Sequence, residues 1–101
     1  MKEAQEETDL LTTFQVVTEI IENVFNISLA EMRSSNPKYY EGRLLFAGIL
    51  NSKGIEEKFT AKLLHKSKVR IQAYIDAYNA RVHSCKKFQE VKNTVNSILT
   101  K

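Results

Sequence analysis

Basic side chains are concentrated between Lys62 and Arg70, and no acidic residue follows them before Asp76. Lysine and arginine neutralise DNA phosphates and release bound counterions, and arginine and glutamine also reach the edges of bases. A serine at the start of a helix, such as Ser67, can donate to a phosphate oxygen. The segment therefore predicts contacts with double-stranded DNA, with a solvated lysine face as the alternative. The candidate contact residues are Lys62, Lys66, Ser67, Lys68, Arg70 and Gln72.

The other residues whose side chains could take part in catalysis or metal binding are not spaced as such sites require. His65 and His83 are eighteen positions apart, which is not a helical spacing for zinc ligands. Cys85 has only His83 nearby as a base. Glu56 and Glu57 are adjacent, so their carboxylates would point apart on a helix. The sequence therefore predicts no enzymatic activity, no cofactor, no metal and no small-molecule substrate.

Charge is distributed unevenly along the 101 residues. Residues 1–32 carry seven acidic residues against Lys2 alone, whereas residues 33–101 carry fourteen basic residues against five acidic ones. The basic body favours a nucleic-acid partner. No apolar stretch approaches the roughly 20 residues that cross a bilayer, and the single cysteine excludes an intrachain disulfide. We therefore expect no membrane contact and a cytoplasmic location.

The elements that would carry these residues are helices. One proline and three glycines are too few for a many-turned β fold, and apolar residues recur at steps of three and four. The sequence predicts an all-α fold, a compact bundle of about six helices within residues 12–101, preceded by an acidic flexible tail, residues 1–11. The predicted helices cover about 12–25, 28–34, 37–51, 55–64, 68–83 and 84–99.

Local signals predict several helix ends. Ser28 followed by Glu31 indicates a capping box, and Asn36 followed by Pro37 marks the start of the third helix. That helix is so apolar that we expect it at the centre of the core, where Gly48 would allow close packing against a neighbour. The residues expected to face the core include Phe14, Val17, Ile21, Val24, Leu44, Leu50, Phe59, Leu64, Ile71, Tyr74, Ile75, Tyr78, Val82, Phe88, Val91, Val95 and Ile98.

Residues 55–83 have the pattern of a helix-turn-helix. Two amphipathic helices are joined by three residues, 65–67, and the second helix, about 68–83, begins with basic and polar residues. Leu64 precedes the turn, and Ile71 and Ile75 are four positions apart, so these residues would hold both helices to the core. The second helix would then place its first turn in the major groove of DNA.

Several segments match a known family in order and spacing. An isoleucine-serine segment followed by a turn corresponds to residues 24–29 and 32–34. A segment of the long central helix corresponds to residues 42–50, and the last helix corresponds to residues 88–99. Over about residues 14–99 the chain thus resembles the C-terminal DNA-binding domain of the bacterial replication initiator DnaA, whose helix-turn-helix fold is related to that of Trp repressor. The DNA-contacting residues that this resemblance implies are Lys66, Ser67, Lys68 and Arg70, with Arg43 on the DNA backbone.

The residues with which the family reads its DNA differ in this chain. The family's arginine-aspartate-histidine-serine/threonine-threonine run corresponds to residues 66–70, which lack the aspartate and the histidine. No phosphate-loop motif occurs. The resemblance therefore implies a stand-alone bacterial or phage regulator of transcription or replication, for which a homodimer would supply two half-sites. The alternative is a helical protein-interaction or inhibitory domain that keeps the fold but has lost DNA binding.

Overall fold

The chain forms an all-α bundle in the computed structural model, which describes the backbone of residues 2–99 and the side chains of residues 10–99. Six α-helices, one 3₁₀ turn and no strand occur in this part of the chain, as the sequence predicts. The helices are α1 (Lys2–Phe25), α2 (Leu29–Arg33), α3 (Tyr40–Ser52), α4 (Glu57–Leu64), α5 (Lys68–Arg81) and α6 (Lys86–Leu99), and the 3₁₀ turn is Pro37–Tyr39.

Helix α3 lies at the centre of the bundle because its apolar residues cover its whole circumference. Every residue from Gly42 to Leu50 is buried, and the helix packs against all five other α-helices. Burying one Leu, Ile or Phe side chain contributes about 1.5–3 kcal/mol, so this helix provides much of the free energy of folding. The predicted central position of the third helix is confirmed.

Aromatic rings connect the outer helices to this centre. Phe14 of α1 meets Phe46 of α3 edge to face, with ring centroids 5.8 Å apart. Tyr78 of α5 stacks on Phe88 of α6 at a centroid distance of 6.0 Å. Such pairs add to the free energy of area burial and fix the relative positions of the helices. The core residues outside α3 include Val17, Ile21, Met32, Leu64, Ile71, Tyr74, Ile75, Tyr78, Val82, Phe88, Val91 and Val95.

The helix starts predicted around α2 and α3 are confirmed by their caps. Ser28 Oγ accepts from the Glu31 amide at 3.1 Å, and Glu31 Oε1 accepts from the Ser28 amide at 2.9 Å, which completes the capping box. Asn36 Oδ1 accepts from the Lys38 amide at 3.0 Å, and Pro37 follows in the first position of the turn. The first turn is a 3₁₀ turn, so the α-helix itself begins at Tyr40.

Helix α3 ends in a Schellman motif, and as a result the next helix starts later than the sequence predicts. Gly54 adopts a φ of 83°, its amide donates to Asn51 O, and the Ile55 amide donates to Leu50 O at 3.1 Å. Leu50 and Ile55 are both buried, as the hydrophobic contact of this motif requires. Because Ile55 belongs to this cap, α4 begins at Glu57 rather than at residue 55.

Two sequence predictions about the outer surface are corrected. Helix α1 begins at Lys2 rather than at about residue 12, so its backbone also covers residues 2–11, the segment predicted as a tail. These residues include strong helix formers, and acidic residues are favoured near a helix N-terminus. The acidic side chains of that predicted tail lie outside the described side chains. The second correction concerns Val24, Phe59 and Ile98, which are 44%, 38% and 46% exposed rather than in the core.

A third residue, Tyr39, binds the capping box of α2 and makes the contribution of Glu31 to stability depend on pH. The Tyr39 hydroxyl donates to Glu31 Oε2 at 2.6 Å, and this bond, followed by the bond from the Ser28 amide, lowers the pKa of Glu31. The same bond raises the pKa of Tyr39. A lowered folded-state pKa means that the stabilisation from Glu31 is present above the ordinary glutamate pKa. It is lost as the pH falls through the lowered value.

We expect Tyr39→Phe to raise the pKa of Glu31 toward its ordinary value, because the hydrogen bond that lowers this pKa most is removed. The measurement is the pH titration of the Glu31 carboxylate carbon by nuclear magnetic resonance. Tyr40→Phe is the matched control, since the neighbouring tyrosine makes ring contacts with Tyr74 and Arg43 instead. An identical titration in both variants would contradict the assignment.

Candidate nucleic-acid interface

A three-residue connection joins α4 to α5, at the position predicted from the sequence. His65 adopts a left-handed conformation with a φ of 55°, and the Lys66 amide donates to Ala61 O at 3.0 Å. This geometry ends α4 within one residue and turns the chain sharply. His65 is therefore a turn residue, as the sequence predicts.

Ser67 fixes the start of α5. Its Oγ accepts from the Arg70 amide at 3.2 Å, and its carbonyl oxygen accepts from the Ile71 amide at 3.0 Å. Ser67 is thus the N-cap of the helix. Leu64 on one side of the connection and Ile71 on the other are fully buried, so both helices are held to the core at the corner where they meet.

The structure brings six of the seven predicted contact residues to this corner. Five of them are exposed and Lys66 is half-buried. In the described part of the chain the ion pairs are Lys58 with Glu56 and Arg81 with Glu41, so no lysine or arginine of the six is ion-paired there. We call these six residues the corner surface: Lys62, Lys66, Ser67, Lys68, Arg70 and Gln72.

Arg43, which the resemblance places on the DNA backbone, lies inside the bundle and is only 3% exposed. Its Nη1 donates to Ser34 O at 2.6 Å, and the guanidinium lies 5.9 Å and 5.8 Å from the ring centroids of Tyr40 and Tyr74. Cation–π contacts with two rings offset the cost of burying the charge. A guanidinium enclosed in this way does not reach a phosphate, so Arg43 is removed from the candidate interface.

The loop between α2 and α3, which no sequence pattern assigns to the DNA-binding site, adjoins the corner surface. Lys66 Nζ donates to Ser35 Oγ at 2.9 Å, and Arg33 Nε donates to Leu63 O at 2.8 Å. The end of α2 and the segment that follows it are thereby joined to the end of α4 and to Lys66, and Ser35 is exposed beside the corner surface. Only the tertiary structure places Ser35 next to Lys66, because thirty-one positions separate them in the chain.

Acidic residues limit the corner surface on the side of the α3–α4 connection. Glu56, Glu57 and Lys68 line one shallow depression of about 370 Å³, which also contains Lys58. Lys58 Nζ lies 3.3 Å from Glu56 Oε2, and both side chains are more than half exposed. The carboxylate of Glu56 balances the charge of Lys58. An exposed ion pair of this kind adds at most about 1 kcal/mol to the stability of the fold. The basic surface therefore ends at Lys68 on this side.

The exposed face of α5 includes an apolar residue, Val69, that is not among the predicted contact residues. Val69 is 83% exposed, the largest exposed fraction among the large hydrophobic residues of the described chain. Gln72 lies nearly one turn further, and its Nε2 donates to Asp76 Oδ1 at 2.9 Å. The predicted inner face of this helix, which includes Ile71 and Ile75, already places Val69 on the opposite side, so the sequence pattern could have identified it as exposed.

Further residues considered for function, Tyr74, Tyr78 and Cys85, are fully or partly buried in the helix packing. Tyr74 and Tyr78 are buried, as the sequence predicts for residues of the inner face of α5, and burial raises the pKa of Tyr78. Cys85 is half-buried. Within the described residues, no group of three or more His, Cys, Asp or Glu side chains is placed to hold a metal ion. None of the helices there has the length and apolar character needed to cross a bilayer.

Comparison with known proteins adds no family assignment: no family model, no curated protein and no solved structure matches this chain.

Proposed function

We propose that this chain is a small regulatory domain that binds double-stranded DNA through a helix-turn-helix made of α4, the connection 65–67 and α5. In this proposal the N-terminal turn of α5 enters the major groove and the basic side chains of the corner surface contact phosphates. The regulated process is transcription or replication, as the sequence resemblance implies.

The observation that carries the proposal is the grouping of six predicted contact residues around one short connection. The corner is rigid because Ser67 caps α5 and Leu64 and Ile71 are fully buried beneath it. Because the backbone of the corner is already fixed, phosphate binding by these cations costs little backbone conformational entropy. Lys68 and Arg70 lie in the first turn of α5, where the helix N-terminus also attracts phosphate.

The placement of Lys66 supports the same proposal. Its bond to Ser35 holds the lysine against the α2–α3 segment, and the Ser35 side chain is exposed there. A duplex that rests on the corner would therefore meet hydrogen-bond donors from two separate parts of the chain. Two points of contact on the backbone fix the orientation of a protein on DNA.

A titration of duplex DNA across salt concentrations tests the proposal. If the four cations of the corner surface neutralise four phosphates, the logarithm of the binding constant should fall with the logarithm of salt with a slope of about −3 to −4. The stoichiometry of the complex, measured by analytical ultracentrifugation, distinguishes one bound chain from a homodimer. Absence of binding to duplex DNA at low salt would overturn the proposal and favour the alternative, a helical protein-interaction domain.

A further inference from the structure

The residues that point directly outward from α5 are mostly small and apolar. The inner face of the helix is formed by Ile71, Tyr74, Ile75 and Tyr78, all buried. With about 100° of rotation per residue, the opposite line of the helix consists of Val69, Ala73, Asp76 and Ala80. These four residues are exposed, and we call them the outward line.

The cations of α5 lie beside the outward line rather than on it. Lys68 and Arg70 precede and follow Val69, so they lie on opposite flanks of the helix. In a helix docked in the major groove, the flanks face the two phosphate backbones and the outward line faces the base pairs. This division leaves base reading to Val69 and Ala73 and to Gln72, which lies between the outward line and the flank that carries Lys68.

Gln72 is held in one orientation by its neighbour. An amide side chain has two N–H donors and one carbonyl acceptor, and the bond from Nε2 to Asp76 Oδ1 uses one of the donors. One N–H and the carbonyl oxygen remain. These are the groups with which glutamine binds adenine, donating to N7 and accepting from the N6 amino group. The bond to Asp76 lowers the entropy that Gln72 would lose on binding a base.

Val69 and Ala73 have a matching partner in DNA. The C5-methyl group of thymine is the apolar feature of the major groove, and small apolar side chains contact it. Val69, Gln72 and Ala73 occupy positions i, i+3 and i+4, so they are neighbours on the helix surface. Neighbouring side chains of this kind reach the same or adjacent base pairs.

We propose that the DNA target of this chain contains A·T pairs under the first two turns of α5, with Gln72 reading an adenine and Val69 and Ala73 contacting thymine methyl groups. The proposal rests on the proposed DNA-binding function. It names the base pairs that the interface prefers, whereas the function itself requires only that duplex DNA is bound.

Selection of bound sequences from a pool of randomised duplexes tests the preference. The wild-type chain should enrich sequences with a conserved A·T pair. In the Gln72→Ala variant, the preference for adenine over the other bases at one position of the site should fall about tenfold. Asn79→Ala is the matched control, because Asn79 is an exposed amide on the same side of α5 as Gln72 but about two turns further along, and it should select the wild-type sequences.

Uracil substitution tests the methyl contacts separately. Replacing thymine by uracil in the selected duplex removes only the C5-methyl group, and wild-type affinity should fall about fourfold for one buried methyl contact. Val69→Ala should bind both duplexes with more similar affinities. Val69 is 83% exposed, so the substitution removes no core contact.

The outcomes separate this proposal from the proposed function. If the chain binds duplex DNA with the expected salt slope but enriches no A·T pair, or if Gln72→Ala selects the wild-type sequences, the inference is wrong and the function stands. If no duplex is bound at low salt, the function is wrong and the inference falls with it. Enrichment of G·C pairs at the same positions would also overturn the inference.

Discussion

Replacing both Lys68 and Arg70 with alanine is expected to weaken binding to duplex DNA by about tenfold to a hundredfold at low salt, since two phosphate contacts are lost. The salt dependence should become shallower by about two units of slope, because each contact contributes about 0.9. The loss should be similar for unrelated DNA sequences, since phosphate contacts carry no sequence information. Fluorescence anisotropy at four or more salt concentrations measures both quantities.

The double substitution should leave the fold intact. Both side chains are exposed, and basic residues in the first turn oppose the helix dipole, so alanine is at least as favourable there. The matched control is Lys86→Ala with Lys92→Ala, which removes the same charge from exposed positions on α6. If the control weakens binding as much as the corner variant, binding depends on net charge alone. The corner surface would then have no special role.

Much of the fold was predictable because local chemistry determines several of its boundaries. Ser28 and Glu31 form their capping box through bonds between residues three positions apart. The apolar character of α3 likewise predicts its central position, because a helix that is apolar on all sides is stable only when surrounded by other helices. Signals of this kind require no knowledge of tertiary structure.

Other features depend on which neighbours a helix meets. Periodicity identifies the apolar face of α4, but Phe59 lies at its edge and remains 38% exposed, in an open depression that it shares with Leu10 and Thr13 of α1. Arg43 shows the converse case. An arginine in a helix is ordinarily a surface residue, and its burial depends on Tyr40 and Tyr74, which reach it from the start of α3 and from α5.

The candidate site was predictable where it is continuous in sequence. The connection 65–67 and the residues beside it follow one another along the chain, so their grouping needs only two correct helix boundaries. Ser35 reaches the corner through its bond with Lys66, which spans thirty-one positions. Val69 was overlooked because valine in a helix is usually a core residue, although the predicted inner face of α5 already places it on the outer side of the helix.

Gly48→Ala is expected to lower the free energy of unfolding by about 2 kcal/mol, since α3 and α5 are too close for an added methyl group. A Cβ at this position would lie 2.1 Å from Tyr78 Cγ, 2.3 Å from Cδ2 and 2.6 Å from Cβ. The Cβ of Tyr78 is fixed to its backbone, so rotating the ring does not remove the overlap. The gain in helix propensity of about 1 kcal/mol offsets only part of the cost.

Gly42→Ala is the matched control because it makes the same change in the same helix. A Cβ there would meet Ile27 Cδ1 at 2.5 Å, which is the end of a flexible side chain and can rotate away. We expect this variant to be as stable as the wild type or more stable by up to about 1 kcal/mol. Chemical denaturation of both variants measures the difference, and for Gly48→Ala the melting temperature should fall by about 10 °C.

The comparison also tests the position of α5 on which the DNA-binding proposal depends. The exposed outward line exists only if Tyr78 faces α3, since the inner face sets the rotation of the whole helix. If Gly48→Ala and Gly42→Ala were equally stable, α5 would lie further from α3 or be rotated about its axis. Val69 and Gln72 would then no longer be fixed on the outer side. A selective loss in Gly48→Ala therefore supports both the helix packing and the direction in which α5 presents its residues.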